Sequence, residues 1–283
     1  MTCTSFELPF RRPYDFNALH KFFSPRTIKG VEVATHGQYA RTFRLGRTKG
    51  TLLISASSNA LQVTVSSTSI KENDLATRVA TLFNLATPST TIASHFATDK
   101  TLAPLVAKSR ALRVPGSWDP FELGVRAILG QQVSVAGATT LAGRIAGKFG
   151  MAIKDEQHGL SRLFPQPEQL ADATLVGMGL TTRRAATITG FARSVCDTPS
   201  LLDTSKTLEQ FVSDLVELDG FGPWTAHYMA MRLGYADAFP ASDLGVRKAL
   251  NMAPEKDVLK LAESWRPWRA TAVMYLWNSL SAH

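Results

Sequence analysis

Apolar and polar positions along this 283-residue chain change period twice. After Tyr14-Asp15, residues 16–23 keep helical spacing, and short runs then alternate apolar and polar side chains over 31–33, 39–45, 51–56 and 61–66. These runs are rich in β-branched and aromatic residues and are separated by turn signals at His36-Gly37, 46–50 and 57–59, which predicts a small antiparallel meander. Between 73 and 85, Leu75, Val79, Leu82 and Phe83 recur at helical intervals, supplying a helix to cover one face of that sheet. Beyond Pro88 the strand period gives way to amphipathic helices punctuated by Pro115-Gly116, Gly130, 165–167, 177–179 and Pro199. The predicted fold class is therefore α+β: an N-terminal α+β domain over 1–90 with a small antiparallel sheet, then an all-α body over 91–283, with 91–112 packing against the C-terminal helices.

One helix start is well marked. Asp119-Pro120-Phe121-Glu122 places an N-cap acid, a first-turn proline and an N3 glutamate in capping-box order, and the helix should run to about Gly130. Gln131-Gln132 follow at an interhelical bend, where two amides either enter a duplex or face water. The stretch 175–184 is a Gly turn before a helix bearing Arg183 and Arg184, equally suited to phosphate contact or to ordinary solvation.

The richest stretch is 218–250. Gly220-Phe221-Gly222-Pro223-Trp224-Thr225-Ala226 reads as a tight turn between two helices, because glycine takes positive φ and Pro223 suits a first helical turn. Bare backbone N–H groups at such a helix start favour an anion. Trp224 and Tyr228, four residues apart, share a helix face, either as core packing or as a stacking surface. Asp243 opens a further helix, either as its N-cap or as an isolated carboxylate available for chemistry; Asp219 lies in the turn itself and is the weaker candidate. The segment Trp265-Arg266-Pro267-Trp268-Arg269, followed by Met274-Tyr275-Leu276-Trp277, offers more aromatic and basic surface than a helix needs for burial.

Composition narrows the partner. A net charge of +8 and a pI near 9.7 favour a polyanion, while 45% hydrophobic and 19% charged residues fit a soluble globular chain. With only Cys3 and Cys196 there is no thiolate set for an iron–sulfur cluster or structural zinc, and the histidines are scattered without metal-ligand spacing. No segment reaches ~18 uninterrupted apolar residues and none resembles an export signal, so a cytoplasmic, nucleoid-associated protein with no membrane partner is expected.

On these residues the chain resembles the helix-hairpin-helix-GPD superfamily of DNA glycosylases, and within it the AlkA-type 3-methyladenine DNA glycosylase II enzymes. The likeness extends over nearly the whole chain through Pro13-Tyr14-Asp15, Tyr39-Ala40-Arg41, Arg126-Ala127-Ile128-Leu129-Gly130-Gln131, Val133-Ser134-Val135-Ala136, Gly222-Pro223-Trp224-Thr225-Ala226 and Pro267-Trp268-Arg269. It implies a helix-hairpin-helix at about 208–233 that grips DNA backbone through the amides of Gly220, Gly222 and Thr225. It implies a monovalent cation, Na or K, on the carbonyls of Val216, Leu218 and Phe221, with no other cofactor required. It places the catalytic carboxylate at Asp243 and the base pocket at Trp224, Tyr228 and Trp277, with Phe22 at the rim. Gln131 and Gln132 would contact DNA, Gln132 standing where the family wedge is an apolar leucine. Bifunctional relatives carry a lysine at the position of Trp224, so the resemblance implies a monofunctional, monomeric enzyme that releases alkylated purines from damaged duplex DNA. The alternatives are a glycosylase for oxidised or deaminated purines, and a helix-hairpin-helix protein that only binds DNA.

Overall fold

A computed structural model describes residues 2–67, 72–153 and 158–280. The first part of the chain forms β1 (Thr2–Pro9), α1 (Phe16–Phe23), β2 (Glu32–Thr35), β3 (Gln38–Leu45), β4 (Thr48–Ala56), β5 (Ala60–Ser67) and α2 (Glu72–Leu82). The sheet is antiparallel throughout in the order β1-β5-β4-β3-β2, so β2 to β5 are a meander and β1 adds to its far edge. This corrects the sequence expectation, which has no strand before residue 31. Within β1 only Phe6 and Leu8 are large apolar residues, and they pair with Val63 and Leu61 of β5, so the strand is defined by a distant partner rather than by its own pattern.

Asp15 caps α1 by accepting from the Ala18 amide at 2.9 Å, and α1 buries Phe16, Leu19 and Phe23 at helical spacing. These side chains, with Leu75, Val79 and Leu82 of α2, cover one sheet face against Tyr39, Ile54 and Val63 in a first hydrophobic core.

The rest of the chain is helical: α3 (Ser89–Phe96), α4 (Ala103–Lys108), α5 (Pro120–Gly130), α6 (Val135–Phe149), α7 (Pro167–Ala171), α8 (Thr182–Asp197), α9 (Leu208–Val216), α10 (Pro223–Arg232), α11 (Leu244–Ala249), α12 (Glu255–Ala262) and α13 (Arg269–Ser279). They enclose a second core in which Phe121, Ile128, Phe191, Met229 and Trp265 are buried. α3 and α4 contribute Ile92, Phe96 and Val106 to it, and α4 packs against α13. No helix among the described residues is long and apolar enough to cross a membrane.

Two expectations change, the first at the join between the cores. Asp119 caps α5 through the Glu122 amide at 2.8 Å, but the Glu122 side chain does not turn back to complete a capping box. It is buried instead, 2.7 Å from Arg41 of β3 and 3.0 Å from Arg126 of α5. Glu32 of β2 completes a four-membered network, 2.8 Å from Arg126 and 3.5 Å from Arg41, and it also accepts from the Tyr39 hydroxyl at 2.6 Å. Burial alone would raise the Glu32 carboxyl, but Arg126, Arg41 and the Tyr39 hydroxyl outweigh it and hold the group down to about 2. Two acids and two arginines thus bind the sheet to α5 with no net charge. The second change is at the C-terminal aromatic and basic segment: Trp265 is buried and donates to Asp99 at 2.9 Å, and Arg269 is buried and forked onto Asp237 at 2.8 and 2.9 Å. Those two residues are structural and offer no surface to a nucleic acid.

Candidate active site

α9 starts at a capping box formed by Thr207 and Gln210, and α10 starts at Pro223, with the turn 217–222 between them. Gly220 sits at φ +83, and a Cβ there would collide with the Thr187 hydroxyl of α8, so the turn needs glycine for both conformation and space. Gly222 has nothing within 4 Å of its Cβ position, leaving the backbone before α10 open to an approaching group. Trp224 and Thr225 lie in the first turn of α10, where amides have no intrahelical acceptor. Val216 ends α9, and the Leu218 carbonyl accepts the Phe221 amide at 3.0 Å, so the carbonyls named for a cation lie within one short turn.

The two adjacent glutamines after α5 separate in role. Gln131 spends its amide on the hairpin, donating to the Gly220 carbonyl at 2.9 Å and to the Thr225 hydroxyl at 3.0 Å, while Arg184 holds its backbone carbonyl at 2.5 Å. Gln132 is exposed, with a left-handed φ of 56 that is uncommon for a residue other than glycine. Gln131 therefore ties the 130–134 bend to the hairpin, and Gln132 is the side chain presented outward.

Beside the hairpin, α10, α11, α13 and α1 enclose a cleft of about 650 Å³ that Trp224, Tyr228, Asp243, Trp277 and Phe22 all line. Trp224 and Tyr228 stack with centroids 5.4 Å apart and planes 13° apart, and Trp277 approaches Tyr228 at 6.5 Å and 42°. Asp243 N-caps α11 through the Val246 amide at 3.0 Å, so the capping role is real, and it is combined with two further contacts. Trp277 Nε1 donates to the same oxygen, Oδ1, at 2.8 Å, and Trp224 Nε1 donates to Oδ2 at 2.9 Å. Three donors fix the carboxylate, and Oδ2, with one of them, keeps the greater acceptor capacity. An N-cap and a site carboxylate, read from sequence as alternatives, are thus one residue.

Three contributors had no assigned part at the level of sequence. Gly245 lets Trp277 reach Asp243: a Cβ there would lie 2.8 Å from Trp277 Cδ1, 2.9 Å from its Nε1 and 3.1 Å from Asp243 Oδ1. Its only signal is a glycine two residues after the carboxylate. Arg232 is buried one helical turn beyond Tyr228, whose hydroxyl it meets at 2.9 Å, and it donates to the carbonyls of Pro115 and Gly116. Arg26, one turn beyond Phe22, holds its guanidinium carbon 4.0 Å from the Phe22 ring centroid. Helical spacing alone would place both arginines next to the aromatics named above.

Residues 5–119 match the AlkA N-terminal domain, and residues 125–257 match the HhH-GPD superfamily base excision DNA repair proteins. The chain is 30% identical over 280 residues to the DNA-3-methyladenine glycosylase 2 of Escherichia coli, covering 96% of each protein. It is 33% identical over 282 residues to the probable bifunctional transcriptional activator/DNA repair enzyme AlkA of Mycobacterium tuberculosis; this covers 98% of the chain but 57% of that longer protein. A solved 3-methyladenine DNA glycosylase from Archaeoglobus fulgidus shares the fold, with a TM-score of 0.82 at 23% identity over 97% of both chains. The chain belongs to the HhH-GPD superfamily of base excision DNA repair proteins. Its place within that superfamily is the branch that carries an AlkA N-terminal domain.

Proposed function

We propose that the protein is a monofunctional DNA glycosylase of base excision repair that extrudes an alkylated purine of the 3-methyladenine or 7-methylguanine type and hydrolyses its N-glycosidic bond. The observation that carries this reading is the Asp243 carboxylate, held by two indole N–H groups on the wall of an aromatic cleft beside a helix-hairpin-helix. The names of the E. coli and A. fulgidus relatives support a 3-methyladenine glycosylase activity, and that of the M. tuberculosis relative supports a role in DNA repair.

In this mechanism the open turn at Gly220, Gly222 and Thr225 receives a backbone phosphate, and a bent duplex lies across the basic surface. Gln132, braced from behind by Gln131, enters the space left by the rotated nucleotide. The base stacks on Trp224 and Tyr228, whose electron-rich faces favour the positive ring of an N-alkylated purine. That ring is already a good leaving group and needs little acid catalysis. As the bond breaks, positive charge grows on the sugar, and Asp243 stabilises it through Oδ2 while orienting the attacking water. No cofactor takes part. A monovalent cation on the carbonyls of Val216, Leu218 and Phe221 would add a positive charge next to the phosphate without entering the chemistry. Working as a cytoplasmic monomer on nucleoid DNA completes the reading.

Among the described lining residues the one lysine is Lys21, exposed on α1, so strand cleavage has to be measured directly. Methylated duplex DNA incubated with the full chain should release free methylpurines, with strands broken only after alkali. Breaks before alkali would show a lyase activity. Tight binding with no base released from alkylated, deaminated or oxidised duplex would leave a protein that only binds DNA.

A further inference from the structure

The aromatic cleft contains more positive charge than its proposed substrate calls for. Of the arginines lining it, Arg126 is neutralised by Glu32 and Glu122, and Arg232 is satisfied by two carbonyls and the Tyr228 hydroxyl. Arg26 differs from both. Its Nη1 donates to the Phe22 carbonyl at 2.8 Å, and among the described residues no carboxylate pairs with it and its Nε and Nη2 have no acceptor. Burial lowers its pKa below the usual arginine value; Tyr228 opposes that shift, and Arg232 and Arg126 add to it. The guanidinium is partly buried and stacked on Phe22, and its Nε and Nη2 are open to the cleft rather than paired within the protein.

A flat cation in that position acts on a base in two opposite ways. A carbonyl oxygen or ring nitrogen on the base edge can take the unused N–H groups, and a charge-assisted bond in a site closed to water is stronger than one in solution. A base with a fixed positive charge meets a like charge near the same wall. We propose that Arg26 is a specificity-determining residue, whose guanidinium reads an acceptor on the extruded base and shifts the preference of the cleft toward neutral, carbonyl-bearing bases over cationic ones. This rests on the reading that the cleft receives an extruded base. Cationic purines still react because they leave readily; neutral bases, which leave poorly, gain from the Arg26 contact.

The fork of Arg26 is itself held in place. Arg126 Nη2 donates to the Arg26 carbonyl at 2.5 Å, linking the segment after α1 to the buried ion network. The specificity wall therefore comes from the N-terminal part of the chain, and the carboxylate comes from the helical part.

The test compares the full chain with Arg26→Met and Arg26→Lys on a duplex bearing one hypoxanthine and on methylated duplex that releases 3-methyladenine, a base that is cationic in DNA and has no carbonyl, with single-turnover release rates measured and folding checked by thermal melting. Arg26→Met should slow hypoxanthine release at least about tenfold and leave 3-methyladenine release unchanged or faster. Arg26→Lys keeps the charge without the planar fork, so it should also slow hypoxanthine release while leaving 3-methyladenine no faster. Parallel loss on both substrates in both variants, or no change on either, would overturn the proposal and leave Arg26 as packing for Phe22. Release of neither base by the unsubstituted chain would instead refute the glycosylase reading, and this proposal with it.

Discussion

The network of Glu32, Arg41, Glu122 and Arg126 makes a quantitative claim about how the two cores are joined. The carboxylate of Glu122 lies 2.7 Å from Arg41 and 3.0 Å from Arg126, and its side chain is 4% exposed. Glu122→Gln removes one negative charge and leaves two guanidinium groups, Arg41 buried and Arg126 partly exposed, facing the single carboxylate of Glu32. Removing one partner of a buried pair costs about 3–5 kcal/mol, and the loss of two charge-assisted hydrogen bonds at about 1.5–3 kcal/mol each falls in the same range. Glutamine keeps one acceptor oxygen, so the lower end, about 3 kcal/mol, is expected. Urea denaturation followed by tryptophan fluorescence measures this, since Trp118 and Trp265 are buried in different cores. The double substitution Arg41→Met with Glu122→Met restores neutrality and should be less destabilised than the two single changes added together. A loss under about 1 kcal/mol for Glu122→Gln, with strict additivity in the cycle, would refute the reasoning and mean that water reaches the network.

The same network sets an acid limit. The Glu32 carboxyl, held well below its ordinary value by Arg126 and Arg41, contributes stability that is full above its ordinary value of 4.5 and is lost as pH falls toward 2. Stability should therefore fall on acidification below pH 4.5, and Glu32→Gln should show a shallower loss between pH 5 and 3 in the same unfolding assay. Gly245→Ala pushes Trp277 off Asp243, and loss of one hydrogen bond to the carboxylate should slow base release about 10- to 100-fold with binding little changed. Gln131→Ala should weaken duplex binding by freeing the hairpin turn, whereas Gln132→Ala should bind undamaged duplex normally and lose lesion engagement; fluorescence anisotropy on matched and lesion duplexes separates the two.

Much of the molecule is legible in the sequence because local pattern and tertiary role coincide. The meander, α2, the start of α5 and the turn before α10 each carry their own periodicity or turn chemistry. β1 does not: TCTSFELP has two large apolar side chains, and its pairing partner is some 60 residues away. Glu122 misleads for a related reason. Its spacing from Asp119 is that of a capping box, but a buried arginine from the sheet competes for the carboxylate and wins, because an uncompensated buried guanidinium costs more than an unfilled cap. Trp265 and Arg269 look like surface because their partners, Asp99 and Asp237, are distant in sequence. At the site, Asp243 and its three aromatics stand out by residue type and motif, whereas Gly245 acts through space left open, and the arginines Arg26 and Arg232 are marked only by lying four residues after Phe22 and Tyr228.

The central claim is that the Asp243 carboxylate acts on the sugar. Asparagine is as good an N-cap as aspartate, so Asp243→Asn should leave α11 and the fold intact while it removes the charge and, with an amide nitrogen in place of Oδ2, the acceptor for Trp224. Single-turnover release of 7-methylguanine from a defined duplex, measured with the binding constant on the same DNA, tests it most directly. The account predicts unchanged binding and a release rate lower by at least about 10²–10³-fold. Release within a few-fold of the unsubstituted chain would contradict it and remove Asp243 from the chemistry.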